Sequence, residues 1–153
     1  ISAVLQYSPD VSTIAQTIQL SLGPVFMLAG IGALLNVLAG RLSRIVDRAR
    51  ALEALHPRST GREHDRHVWE LRLLDRRITI INWALYLAVS SAVMTCTVVA
   101  MLFVAELANL RIGQFVAVAF VLAMVLLITA LVSFMIEVRI SLRAIQIREE
   151  LLR

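Results

Sequence analysis

Thr129, Ser133 and Glu137 recur at every fourth residue. On a helix they stack two hydroxyls and one carboxylate along a single face. Within an apolar segment such a row has two chemical uses. Glu137 can pair with an arginine of a neighbouring segment and fix the packing. Alternatively, copies of the row around a symmetry axis would form a carboxylate ring that selects cations. The ion pair has the stronger prior, because such pairs are common at helix ends. Asn36 and Asn82 stand at a similar depth in two other apolar runs, so they join the same candidate polar or pore-lining layer.

Other polar residues point to packing rather than reaction. Gly32, Asn36 and Gly40 lie at i, i+4 and i+8, with Ala29 and Ala33 beside them. Small residues at that spacing allow another helix to approach closely, and packing within the same chain is the favoured reading. Ser90, Ser91, Thr95, Cys96 and Thr97 can hydrogen-bond to carbonyls one turn back, so they need not mark a path. Cys96 alone cannot form an intramolecular disulfide. His64 and His67 are one helical turn apart, the spacing of a metal pair. Arg62 and Arg66 flank them and no cysteine is near, so a solvated helix start is expected and no metal. No nucleophile–base set, phosphate-binding glycine loop or metalloprotease motif occurs. The chain is read as a non-enzyme without catalytic residues or cofactor.

These residues sit on elements that a bilayer must organise. Of 153 residues, 59% are hydrophobic, above the roughly 45–50% of soluble domains, so lipid has to cover the excess. There are 15 basic residues, all arginine. Ten lie between Arg41 and Arg77, four more are Arg139, Arg143, Arg148 and Arg153, and Arg111 alone lies elsewhere. Spans are read at about 20–40, 79–105 and 112–136, each near the ~20 residues needed to cross ~30 Å of hydrocarbon. Retention of arginine on cytoplasmic flanks puts the N-terminus outside and the C-terminus in the cytoplasm of a bacterial inner membrane. A net charge of +4 does not argue for nucleic acid, because Asp47, Glu53, Glu63, Asp65, Glu70 and Asp75 are interleaved with the arginines. No basic region precedes the first span, so no cleaved signal peptide is expected in this chain.

Gly23-Pro24 predicts a kink near the outer end of the first span. Upstream, Val11, Ile14, Ile18 and Leu22 keep helical spacing behind Asp10, a candidate N-cap. That segment is either the outer end of a kinked helix or a separate interfacial helix. Apolar seams carry the helices past the spans: Leu42, Ile45, Ala49 and Leu52 after the first, Leu71, Leu74, Ile78, Ile81 and Leu85 leading into the second, and Val138, Leu142, Ile145 and Leu152, broken by Glu149, after the third. A cytoplasmic helical hairpin over 41–78 and a C-terminal helix over 137–153 follow, with His56-Pro57-Arg58-Ser59-Thr60-Gly61 as the turn. Thr60 with Glu63 reads as a capping box. Residues 106–111 read as a tight outer turn. Arg41, Arg44 and Arg48 share a helix face. Asp47 can pair locally with Arg44 or Arg50, and Asp75 is the expected mate of an arginine across the hairpin. With Arg77 and Arg139, these residues form stalk ion pairs or meet anionic lipid headgroups at the cytoplasmic face.

The blocks 19–28, 30–38 and 41–50, with Arg44-Ile45-Val46-Asp47-Arg48 at their centre, resemble the bacterial "domain of unknown function 2721" family. Leu74-Asp75-Arg76-Arg77-Ile78 with Ile81-Asn82, and Phe134-Met135-Ile136-Glu137-Val138-Arg139, are similar to its second and third blocks. The resemblance runs from about Ile18 to Ile147 and implies a small three-span membrane protein; it implies no activity.

The expected architecture is an all-α, single-domain transmembrane three-helix protein (1–153) with long helices extending into a cytoplasmic coiled-coil-like stalk. A second apolar seam on the C-terminal arm, Ile140, Ala144, Ile147 and Leu151, gives that arm two faces to cover and argues for a homo-oligomer. The leading functional expectation is a homo-oligomeric cation-conducting channel. The alternative is a non-conducting scaffold or accessory subunit whose stalk docks a partner.

Overall fold

The computed structural model describes residues 11–58 and 60–150. Three long helices make up nearly all of it, and the described residues contain no strand. Helix α1 spans Val11–Leu55, α2 spans Arg62–Ala108 and α3 spans Gly113–Glu150. Each contains a stretch long and apolar enough to cross a membrane, which marks a multi-pass membrane protein. At 1.5 Å per residue, α1 and α2 are about 70 Å long and α3 about 57 Å. All three therefore outrun a ~30 Å hydrocarbon layer.

Helix α1 passes through Pro24 without a break, so its first turns are not a separate interfacial helix. The missing proline amide costs one backbone bond in a helix that neighbours can support. Asp10, the candidate cap, lies outside the described residues. So do Ser59 of the hairpin turn and Leu151, Leu152 and Arg153 of the C-terminal seams.

The turn between α1 and α2 begins as a short 3-10 helix, His56–Arg58. The expected capping box does not form. The N-cap is Gly61, with no side-chain cap bond. Its φ of +74° is a left-handed conformation that a Cβ disfavours. The helix thus starts one residue later than Thr60 and Glu63 would require. Glu63 and Asp65 still sit in the first turn, where acidic side chains complement the helix dipole. At the other end α2 runs three residues past the predicted span. It stops at Asn109, which adopts φ 50°; asparagine tolerates this better than most residues. The Leu110 amide donates to the Ala105 carbonyl at 2.9 Å, closing a Schellman-type turn.

Helix α2 is central and packs along both α1 and α3. Arg48 meets Glu70 while Arg41 and Arg77 converge further along the pair, so α1 and α2 are antiparallel. Ser91 meets Ala123 and Arg77 meets Ser141, so α2 and α3 are antiparallel too.

Buried positions recur every seven residues on all three helices. On α1 they are Thr17, Pro24, Ile31, Leu38, Ile45 and Leu52. On α2 they are Leu74, Ile81, Ala88 and Thr95, with a second row of Ala84, Ser91 and Val98. On α3 they are Val116, Ala123, Ala130 and Glu137. A seven-residue repeat keeps one seam facing a neighbour over a long distance. Two clusters fill it. One joins Leu38, Ile45, Leu52, Leu74, Ile81 and Ala84; the other joins Ile31, Ala88 and Ala130, one from each helix.

Ser91 is an exception among the hydroxyls of α2. Instead of bonding back along its own helix, it donates to the Ala123 carbonyl of α3 at 2.8 Å. Thr95 donates to the Ser91 carbonyl. Interhelical side-chain bonds in membranes average about 0.6 kcal/mol. Ser91→Ala should therefore lower unfolding stability in detergent by less than about 1 kcal/mol. A loss several times larger would mean that the bond organises the whole α2–α3 contact.

Candidate functional site

Arg41 is the first charge after the apolar run of α1, Arg77 the last before the run of α2, and Glu137 the first after the run of α3. The three helices bring these residues to one layer. Glu137 occupies the buried seven-residue row of α3 and is completely enclosed. Its two carboxylate oxygens are divided between the other helices. Oε1 accepts from Arg77 Nη2 at 2.8 Å and Nε at 3.3 Å. Oε2 accepts from Arg41 Nη1 at 3.0 Å.

Residues one turn to either side complete the arrangement. Arg77 Nη2 also donates to Ser141 Oγ at 3.1 Å. The Arg41 guanidinium lies 5.2 Å from the centroid of the Phe134 ring, within cation–π range. Phe134, Glu137 and Ser141 thus present one face of α3 to both arginines. A buried carboxylate without partners would be very costly in this setting. Charge-assisted bonds from two helices offset that cost. The layer holds two positive charges and one negative, and Arg41 keeps 36% of its side chain exposed against 17% for Arg77. The uncompensated charge therefore lies toward Arg41.

The other members of the predicted polar layer do not converge on Glu137. Thr129 donates to the Val125 carbonyl and Ser133 to the Thr129 carbonyl, so both hydroxyls are satisfied within α3. Asn36 and Asn82 are exposed on the outside of the helix bundle. Gly32 and Gly40 are exposed as well, and a methyl added at either would meet no atom within 4 Å. The small-residue stripe of α1 is therefore not packed within the chain, contrary to expectation, because the seam through Ile31 and Leu38 turns the opposite face inward. Cys96 is exposed on α2.

The hairpin differs from expectation in its charge pairing. Arg48 pairs with Glu70, Nη2 to Oε1 at 3.0 Å, and not with Asp75. Asp75 sits beside Leu74 of the buried row and points outward, whereas Glu70, one turn nearer the hairpin tip, lies on the α1 side. Among the described residues Asp47 makes no ion pair with Arg44 or Arg50, and all three side chains are exposed. Arg139 is exposed too. Near the hairpin tip an open cleft of about 400 Å³ lies between α1 and α2, with Arg48, Leu52 and His67 in its wall. The His67 Nδ1 atom is buried there and has no hydrogen-bond partner among the described residues. Among the described residues no three His, Cys, Asp or Glu side chains gather as a metal site.

Sequence reasoning paired Glu137 with one arginine and missed the second, as well as Phe134 and Ser141; it turned Ser91 back onto its own helix, whereas that hydroxyl reaches the Ala123 carbonyl of α3. A usable signal was present: Val116, Ala123, Ala130 and Glu137 keep strict seven-residue spacing, which places Glu137 on the contact seam.

A family model described as "Protein of unknown function (DUF2721)" matches residues 21–147. That range contains every residue of the Arg41–Glu137–Arg77 layer. No match was found among curated proteins or among solved structures.

Proposed function

Because the chain belongs to the DUF2721 family, whose description carries no activity, we propose a function from the geometry: a non-conducting membrane scaffold. In this reading it sits in the bacterial inner membrane with its N-terminus outside and its C-terminus in the cytoplasm. The extended hairpin and the end of α3 form a cytoplasmic stalk that assembles with further copies of the chain or docks a partner. The arginine asymmetry supports the orientation.

The observation that carries the proposal is the complete enclosure of Glu137 between Arg41 and Arg77. A carboxylate committed to two guanidiniums inside its own chain is not offered to a pore. The hydroxyls of Thr129 and Ser133 are likewise committed to their own backbone. Assembly draws support from Leu142 and Ile145, which are exposed on α3 beyond Glu137, where headgroups and water begin. Apolar side chains there favour a protein partner.

A second reading, a homo-oligomeric cation channel, is favoured by one feature. Asn36 and Asn82 are polar, exposed and within otherwise apolar stretches. Such groups seek protein or water in a bilayer. Three spans are too few for a pore within one chain, so conduction would demand assembly.

Planar-bilayer recording separates the two. The scaffold reading expects no unitary conductance across pH, voltage and cation type, together with a particle of defined mass in detergent. Reproducible cation currents that change on Asn36→Leu or Asn82→Leu would replace it with the channel reading.

A further inference from the structure

We propose that Arg41 and Arg44 form a seat for one phosphate group, and that its natural occupant is the headgroup phosphate of an anionic phospholipid in the leaflet next to the hairpin. The inference rests on the membrane part of the reading above, and on neither the oligomer nor the docking of a partner.

The seat follows from how the buried layer uses its donors. Glu137 takes only Nη1 of Arg41. The Nε and Nη2 groups of that guanidinium have no protein acceptor among the described residues, and the side chain is 36% exposed. Glu137 on one side and the Phe134 ring beneath hold the guanidinium plane in place. Arg41 is therefore not a mobile surface cation; its free edge has a defined direction.

Arg44 is one helical turn further along α1, exposed and without an ion pair among the described residues. Side chains at i and i+3 are neighbours on a helix surface, about 5–6 Å apart at Cβ. Arg48, the next on that face, is already committed to Glu70. Asp47 is the nearest acidic residue on the same arm and makes no ion pair with Arg44. At the end of the apolar run Arg41, Arg44 and Arg77 outnumber the single carboxylate of Glu137, and Asp47 lies one turn beyond Arg44 without pairing with it. Guanidinium groups match phosphate oxygens with directed, charge-assisted bonds. This depth is where lipid phosphates lie.

The test uses the full chain reconstituted into nanodiscs of phosphatidylglycerol mixed with phosphatidylcholine, followed by native mass spectrometry of the released protein. The expected result is one retained phosphatidylglycerol per chain, with little phosphatidylcholine. Arg44→Gln leaves the buried layer untouched and should weaken retention about tenfold, the effect of losing one charge-assisted bond. Arg50→Gln removes an exposed arginine from the same helix and should retain lipid as the unaltered chain does. Added inorganic phosphate distinguishes the source of the ligand. Lipid retained against millimolar phosphate assigns the seat to headgroups, and displacement assigns it to a soluble phosphate. Equal retention of the two lipids, normal retention by Arg44→Gln, or equal losses in Arg44→Gln and Arg50→Gln would each overturn the proposal. A chain that fails to enter nanodiscs would instead remove the membrane reading beneath it.

Discussion

Glu137→Ala is expected to destabilise the helix bundle by about 3 kcal/mol, toward the lower end of what breaking a buried ion pair costs. The substitution leaves two guanidiniums facing each other across an apolar gap. Arg77, only 17% exposed, cannot reach water without disturbing the α2–α3 contact. Arg41 is more open and can turn toward headgroups, which places the cost at the lower end. A loss of that size corresponds to a fall in melting temperature on the order of 10 °C for a chain of this length. Glu137→Gln keeps an acceptor oxygen and should fall between. Replacing Arg41, Glu137 and Arg77 together by Met should recover much of the loss, since an apolar layer of similar volume needs no pairing. Thermal unfolding in detergent, followed by circular dichroism or light scattering, measures all three. An unchanged melting temperature in Glu137→Ala would mean that the layer does not hold the bundle. A triple variant no better than the single would mean that the layer specifies register as well as stability.

The second large effect concerns alanines. Ala88→Leu should be strongly destabilising, by about 1–3 kcal/mol or more, whereas Ala100→Leu and Ala117→Leu should be nearly silent. Ala88 has no exposed surface and packs with Ile31 of α1 and Ala130 of α3, so a larger side chain must push all three helices apart. Small residues are what allow these backbones to approach. Ala100 and Ala117 face outward, where lipid tails can yield to an added isobutyl group. The same detergent melts decide it. Equal tolerance at 88 and 117 would contradict the packing of α2 between its neighbours.

The contrast between these alanines explains what was legible in the residues alone. Outside the bilayer, water distinguishes a buried face from an exposed one. There the seams through Ile45 and Leu52 and through Leu74 were readable, and all three are buried, whereas Leu142 and Ile145 of the seam read on α3 are exposed. Inside the apolar runs lipid covers the outer face, so an outward Val118 and an inward Val116 are equally apolar. Hydrophobic periodicity carries little information there, and the inward face is marked instead by small or polar residues such as Ala84, Ala88, Ser91 and Ala130. The same blindness sent Gly32, Asn36 and Gly40 to the wrong side of α1. Local chemistry misled at the hairpin as well: Thr60 and Glu63 have the residue types of a capping box, but the left-handed Gly61 fixes where the helix starts.

By itself the amino-acid sequence determined that this is an all-helical protein with three membrane-length segments and a likeness to one family. Length, hydrophobic content and the first charge at the end of each run settle the helices and spans, and short residue blocks carry the likeness, because each of these is read along a single segment. Which charges meet is a different kind of property. That Glu137 is shared between Arg41 and Arg77, that Arg48 chooses Glu70 over Asp75, and that Asn36 faces outward all depend on the rotation of each helix about its own axis. That rotation is set by the fit of side chains among three helices at once, so only the tertiary structure decided it.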